Sequence, residues 1–430
     1  MAKPKLALIP AAQGTSLYSV LPSSGVGDFN FTRSGSATRI NSQGLIETVA
    51  SGVSRLNYPM IDGVVKGCPH HILEPSVTNQ VPYSEDINNS AWSKFNLNVS
   101  PNEAISPDGS LNADKLTENT TTSQHRISDI VSLVSGQEHT ISAFVKPNGS
   151  KWVRLRLENA TVGSGQINVW FDLENGIVGT EGSGVGQIEK YPNGWYRCSA
   201  TGTTNTTGNL CIVALADADA SSSYTGNISR SAYVWGISVQ NSSYLTSYIP
   251  TNGSAVTRSA ETANGSGDAS TFNDSEGVLM AEISALSNDL SNRGITISDG
   301  SVNNRVTMFY TNVSNAIQVK VVVGGSNSLN SYITIPNISL YNKFAIKYKQ
   351  NDFSLYVNGF ELITDTSGIT FSNGTLTELA FDRGDGGEDF YGNVKQIQYF
   401  DTALTDSDLE TLTSWVSFED MAISQQYSLY

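Results

Sequence analysis

Strict two-residue alternation constrains this chain more than any other feature of it. In Lys151-Trp152-Val153-Arg154-Leu155-Arg156-Leu157-Glu158, the residues Val153, Leu155 and Leu157 fall on one side of an extended backbone. Trp152, Arg154, Arg156 and Glu158 fall on the other. In Ile167-Asn168-Val169-Trp170-Phe171-Asp172-Leu173, Ile167, Val169, Phe171 and Leu173 form the apolar side, and Asn168, Trp170 and Asp172 take the opposite face. A helix, with its period of 3.6, cannot sort such runs onto one face, whereas a half-buried strand does. Further strands are predicted at 196–201, 210–216 and 232–239. A second series is predicted at 278–283, 306–310, 317–323, 332–335, 343–349, 353–357, 376–381 and 394–400. Turn residues separate them at short intervals, which predicts an all-β fold of antiparallel sandwiches.

Composition agrees. Charged residues are 15%, against a usual ~25%, and 38 glycines supply turns. This excludes helical bundles and coiled coils. With 25 basic and 40 acidic side chains the net charge is −15, which argues against nucleic acid as a partner. The excess is uneven: 8 basic and 20 acidic residues lie beyond residue 265. Three cysteines exclude a disulfide scaffold. Cys198 and Cys211 flank a turn and are expected to face each other across a hairpin, with their pairing left open. The apolar run at the N-terminus is closed by Pro10. No stretch approaches the ~18 apolar residues of a membrane span, so no membrane insertion and no Sec-type export are expected.

The chain divides into blocks. Residues 1–82, punctuated by Gly and Ser, read as short strands or an extended, clamped arm. Residues 83–260 read as one sandwich and 271–415 as another. Residues 261–270 read as a flexible linker, and 416–430 as an arm that needs a partner to order it. Asn358-Gly359 marks a hairpin turn. One helix is predicted over 405–414, with Thr405 as N-cap, Asp408 in the box position, and Leu409 and Leu412 on one side.

Several ordered motifs resemble a group of tailed-bacteriophage virion proteins. They begin with Phe31-Thr32-Arg33-Ser34-Gly35-Ser36-Ala37-Thr38, followed by Gly44-Leu45-Ile46 and Ser54-Arg55-Leu56-Asn57-Tyr58. Leu73-Glu74 with Thr78-Asn79, then Tyr83-Ser84-Glu85 through Trp92, continue the pattern. Asn193-Gly194-Trp195-Tyr196, Tyr233-Val234-Trp235-Gly236, Tyr248-Ile249-Pro250-Thr251 and Ala255-Val256-Thr257-Arg258 are similar to signatures of the carbohydrate-binding-module-like domain attached to that opening. The run 392–400 followed by Ala403-Leu404-Thr405-Asp406 resembles the closing strand and helix of concanavalin A-like (laminin-G-like) jelly rolls. The resemblance implies a structural protein of a fibre or of a head or tail appendage. Residues 1–82 would anchor it to other virion proteins, and host-surface glycans would be its ligands. It implies a homotrimer, made in the host cytoplasm and carried in the virion. The alternatives are a decoration or connector protein, and a capsule-degrading tailspike.

Sugar recognition needs aromatic faces together with planar polar groups. Trp152, Arg154, Arg156, Trp170 and Asp172 supply both on polar strand faces and are the candidate glycan-binding residues. The competing reading is that these tryptophans pack. Trp195 and Trp235 are expected to brace the core. Lectin-like jelly rolls often bind Ca²⁺ through carboxylate-rich loops, and Asp382, Asp385 and Asp389 make such a loop. Cys68-Pro69-His70-His71 lacks a second ligand pair for zinc. No Glu-x-Asp-x-x-Glu strand motif, nucleophile elbow or Walker loop is present, so no enzyme is expected.

Overall fold

The computed structural model describes residues 2–10, 17–159 and 165–426. Among them the paired strands run antiparallel and stack as two sandwiches. In the first, one sheet has the order Ser93–Phe95, His125–Ser132, Gly208–Ala216, Trp152–Asn159, Gly165–Asp172, Ile177–Ser183. The facing sheet runs Leu97–Ile105, Leu111–Glu118, Ser231–Gln240, Gln137–Asn148, Trp195–Thr204, Val185–Tyr191. The predicted alternation sets the core: Val153, Leu155, Leu157, Ile167, Val169 and Phe171 meet Ile141, Val145, Val234 and Val239 between the sheets. Each such side chain contributes about 1.5–3 kcal/mol by leaving water.

The second sandwich packs the sheet Phe360–Asp365, Phe353–Val357, Asn342–Lys349, Glu276–Ala285, Gly392–Phe400 against Ser326–Thr334, Ala316–Val323, Arg305–Tyr310, Arg293–Ser298, Glu378–Ala380. Asn358 and Gly359 both have positive φ (51° and 89°), as a tight two-residue hairpin turn requires. The predicted helix spans Asp406–Thr413, and the Thr405 side chain accepts the Asp408 N–H. Its Leu409 packs with Val278, Met280 and Phe400 on the outside of the sheet.

The structure corrects four expectations. Residues 1–82 are not a separate arm. Leu6–Leu8 and His70–Leu73 pair with Gly392–Phe400, and Arg55–Asn57 continues the same sheet. Val77–Asn79 instead joins the first sandwich. Leu6, Leu8, Leu17, Phe29 and Leu73 lie in the core of the second sandwich. Strands this short cannot form a core alone, but each can extend an existing sheet edge. Residues 261–270 are not a loose linker. Thr262–Asn264 pairs with Asn30–Thr32, and Glu261, Ala263 and Ser266 are buried. Residues 417–426 are ordered by their own chain. The helix Phe418–Ser424 is capped by Ser417 and held where Lys395 Nζ donates to Ser424 Oγ and Gln425 Nε2 donates to the Tyr341 carbonyl. The rest of the expected C-terminal arm, 427–430, lies outside the described residues. Finally, Cys198 and Cys211 sit on different sheets, both buried and free, because the 205–207 segment crosses between the sheets instead of closing a hairpin.

The blocks are joined by a buried charge cluster. Arg33 Nη1 donates to Glu261 Oε1 (2.6 Å), Arg55 Nε to the same oxygen (2.8 Å), and Arg55 Nη1 pairs with Glu74 Oε2 (2.7 Å). Arg258 Nη1 lies 2.9 Å from Glu74 Oε2. All five side chains are 0–1% exposed. Carbonyls of Gly35, Thr38, Ala50 and Pro75 and the Ser247 hydroxyl take further guanidinium N–H groups. Burial would raise the Glu74 carboxyl, but Arg258, Arg55 and the Ser247 donors outweigh it and hold its pKa at about 2. Around this cluster, Asn79 bonds the carbonyl of Ile249 and the N–H of Val239. Ser84 and Glu85 bond the Tyr248 hydroxyl, and Trp92 donates to the Tyr83 carbonyl. Arg33, Arg55, Glu74 and Arg258 of the ordered motifs therefore build the joint, with Glu261.

Candidate binding face

The first sandwich has two outward faces. That of the sheet running from Leu97–Ile105 to Val185–Tyr191, which Val77–Asn79 and Val256–Arg258 extend to eight strands, is sealed: Phe144, Trp195, Trp235 and Tyr248 pack there with Ile46, Ile40 and Met60 of the N-terminal block. Trp195 and Trp235 thus brace the interior, as expected. The outward face of the six-stranded sheet carries a different set. Strand register aligns Phe95, Arg126, Ala214, Arg154 and Trp170 in one row across five strands. The next row contains Ser128, Ile212, Arg156 and Asn168, and on the other side Trp152 stands opposite Asp172. Adjacent strands are about 4.8 Å apart, so three guanidiniums share a small area. Ala214, between Arg126 and Arg154, is too small to separate them.

Arg154 is 2% exposed. Its guanidinium lies 5.4 Å from the Trp170 ring centroid, and Nη2 donates to Gln124 Oε1 at 3.3 Å, while Nε is buried with no hydrogen-bond partner. Arg126 stacks 5.6 Å from Phe95, and its Nη1 is likewise buried without a partner. Arg156 pairs with Glu158 at 2.8 Å. Burial, then the charges of Arg156 and Arg126, lower the Arg154 pKa to about 10. Burial also lowers that of Arg126, with Glu158 opposing and Arg156 reinforcing. The Asn168 Oδ1 acceptor is buried and unpartnered beside them.

The five candidate glycan-binding residues do share this region, but not all are free to bind. Trp170 is covered, 5% exposed, with Nε1 donating to the Ser221 carbonyl at 2.8 Å. The 217–221 loop, not a ligand, occupies its edge. Trp152 is half-buried beside Gly179 and Asp219, where a Cβ on Gly179 would come within 2.5 Å of the ring. Asp172 is committed to a turn: it accepts from Glu174 N (2.8 Å), Asn175 N (3.1 Å) and Asn175 Nδ2 (2.7 Å). Its strand parity is outward, but its acceptors serve the turn that follows. Arg156 stays partly exposed, and Arg154 is covered but keeps its unpartnered Nε; Arg126, Phe95 and Gln124 join them. The sequence reading missed those three; the alternation of Arg126, Ser128 and Ile130 against Ile127 and Val131 was the available signal.

The expected Ca²⁺ loop does not assemble. Asp382 Oδ1 accepts the Gly384 N–H at 2.5 Å, Asp385 is paired with Arg383 at 2.8 Å, and Asp389 accepts from the Tyr391 hydroxyl at 3.2 Å. Among the described residues, no three or more His, Cys, Asp or Glu are grouped to hold a metal ion. His70 is buried on its strand; that burial, then Lys395 and His71, lower its pKa to about 3.

A cleft of about 730 Å³ lies elsewhere, between the 58–62 segment and the strand Val185–Tyr191, lined by Asn57, Tyr58, Asn175, Glu189 and Lys190. It adjoins a space of about 420 Å³ reaching Arg39 and Arg197. Arg39 is paired with Glu47, and Arg197 Nη2 donates to the Thr246 carbonyl. Among the described residues no helix is long and apolar enough to cross a membrane.

No family model matches the chain, and no curated protein matches it. Among solved structures it is similar to the CBM40 of the Ruminococcus gnavus IT-sialidase bound to α2,3-sialyllactose. That match has 16% identity and a TM-score of 0.28, covering 35% of this chain and 88% of that one. It is also similar to a heptameric SAP-like pentraxin from Limulus polyphemus, at 15% identity and a TM-score of 0.27, covering 34% and 72%. A third is the K499G mutant of NanB sialidase from Streptococcus pneumoniae, at 18% identity and 0.27, covering 34% and 25%. Likeness at this level carries no functional assignment.

Proposed function

We propose that this chain is a non-catalytic binding protein that contacts host-surface glycans through the outward face of the six-stranded sheet. Following the motif resemblance, we place it in a tailed-phage virion as a fibre or another head or tail appendage. The observation that carries the binding reading is the row of Phe95, Arg126 and Arg154, flanked by the accessible edges of Trp152 and Arg156. It combines aromatic surface with planar donors, as saccharide recognition requires. Residues 1–82 would meet other virion proteins from within the folded body. Three copies per appendage would raise avidity by ~10²–10⁴ over a single weak site.

The test is a panel of neutral and acidic bacterial surface saccharides, probed with the full chain. Binding that falls at least tenfold in Trp152→Ala with Arg156→Ala supports the reading; no binding across the panel sinks it. Release of reducing ends from any polysaccharide would favour the tailspike alternative. Burial of Trp170 under Ser221 removes one ring from reach of a sugar; the second reading is a connector whose sandwiches serve protein–protein contacts. Immunogold labelling of virions separates the two. Gold on projecting fibres supports attachment, and gold confined to a neck, collar or capsid lattice supports the connector.

A further inference from the structure

We propose that the arginine face selects an acidic saccharide, seating a carboxylate or sulfate group against Arg126, Arg154 and Arg156. The inference rests on the glycan-binding reading and names its ligand class. Elsewhere this chain neutralises its buried arginines: in the joint, Arg33, Arg55 and Arg258 share Glu74 and Glu261 and a set of carbonyls. On the sheet face, Arg156 pairs with Glu158, and neither Arg126 nor Arg154 makes an ion pair among the described residues. Arg154, 2% exposed, keeps an unpartnered Nε, and Arg126 keeps an unpartnered Nη1.

An anion supplies what this arrangement lacks. Guanidinium forks match the two oxygens of a carboxylate or sulfate in bidentate geometry, which a neutral hydroxyl cannot do. Ala214, itself buried, places no long side chain between Arg126 and Arg154. The unpartnered Asn168 Oδ1 is an acceptor for a sugar hydroxyl, and Phe95, 46% exposed, offers a ring face at the end of the row. A saccharide is favoured over a polyphosphate because the positive patch is small and the whole chain carries −15, which repels long polyanions.

The experiment is titration calorimetry of the full chain at low salt. The probes are an oligogalacturonate, its neutral methyl ester, a chondroitin sulfate oligosaccharide, inorganic sulfate and an oligothymidylate. The expected result is that at least one acidic oligosaccharide binds tenfold or more tighter than the methyl ester. That affinity should fall with added salt, and at least tenfold in Arg154→Met. Arg156→Lys, which keeps the charge and loses the fork, should weaken binding by a smaller factor without lowering the thermal unfolding temperature. Equal binding of the methyl ester overturns this inference and leaves the glycan reading standing. Inorganic sulfate binding as tightly as the oligosaccharides overturns the saccharide part, and tighter binding of oligothymidylate overturns it in favour of a nucleic acid. No binding by any probe overturns the inference; the glycan reading then falls only if the neutral panel is empty as well.

Discussion

Two arginine triplets in this molecule are built in opposite ways. At the joint, Arg33, Arg55 and Arg258 are wholly buried, and two glutamates and several carbonyls take nearly all their N–H groups; among their nitrogens only Arg258 Nε is buried without a partner. On the six-stranded sheet, strand register gathers Arg126, Arg154 and Arg156; Arg156 pairs with Glu158, while Arg126 and Arg154 each keep a buried nitrogen without a partner. The first is a fastening between segments that lie far apart in sequence. The second holds two guanidiniums, of Arg126 and Arg154, that stack on aromatic rings but make no ion pair among the described residues. Buried charge of the second kind costs stability unless something pairs with it, which is why the proposed anion is placed there.

The largest effect is expected at the joint. Glu261→Gln removes the partner shared by Arg33 and Arg55 and should cost about 3–5 kcal/mol, read as a lower urea midpoint. Acid should act on the joint next. The folded Glu74 pKa of about 2 lies below its ordinary value of 4.5, so its contribution is complete above pH 4.5 and lost as pH falls towards 2. His70, held neutral near pKa 3 against an ordinary 6.5, adds a loss that begins as pH falls below 6.5. Together they predict that stability declines from about pH 6.5 downwards and more steeply below 4.5, with each site limited to about 1.4 kcal/mol per pH unit. Unfolding followed by tryptophan fluorescence across pH 7–2 checks this. On the face, Trp170→Phe should cost about 1 kcal/mol through the lost bond to the Ser221 carbonyl. The smallest effect is that of salt on the joint: raising it to about 0.5 M should change stability by less than about 0.5 kcal/mol, because buried pairs are screened little. The same change should markedly weaken an anion held on the face.

Much of the face was legible, because side-chain direction along a strand follows from period two alone. Val153, Leu155 and Leu157 had to point away from Arg154 and Arg156 once the strand formed. The covering of that face was not legible: the carbonyl that caps Trp170 comes from Ser221, 51 residues later. Asp172 shows a different limit, since parity says which way a residue points but not that a following turn will take its oxygens. The joint was half legible. Arg33, Arg55, Glu74 and Arg258 stood out as motif residues, but their role depends on Glu261, in a segment whose Gly, Asn and Ser content reads as linker. The contacts that bury Glu261 reach Arg33 across 228 positions and Glu74 across 187. No local pattern encodes such closures. The short N-terminal strands were recognisable as strands, but which sheet edge they would extend depends on the finished sandwiches.

The contrast between the two triplets is tested most directly by measuring the unfolding free energies of Arg55→Met and Arg154→Met in one assay. Arg55→Met leaves Glu261 and Glu74 short of a buried partner and is expected to lose about 3–5 kcal/mol. Arg154→Met removes a buried charge that no carboxylate pairs with among the described residues and is expected to be as stable as the parent or up to about 1–2 kcal/mol more so. A loss in Arg154→Met as large as that in Arg55→Met would mean that the face is a second fastening, and the account of it as a binding surface would be wrong.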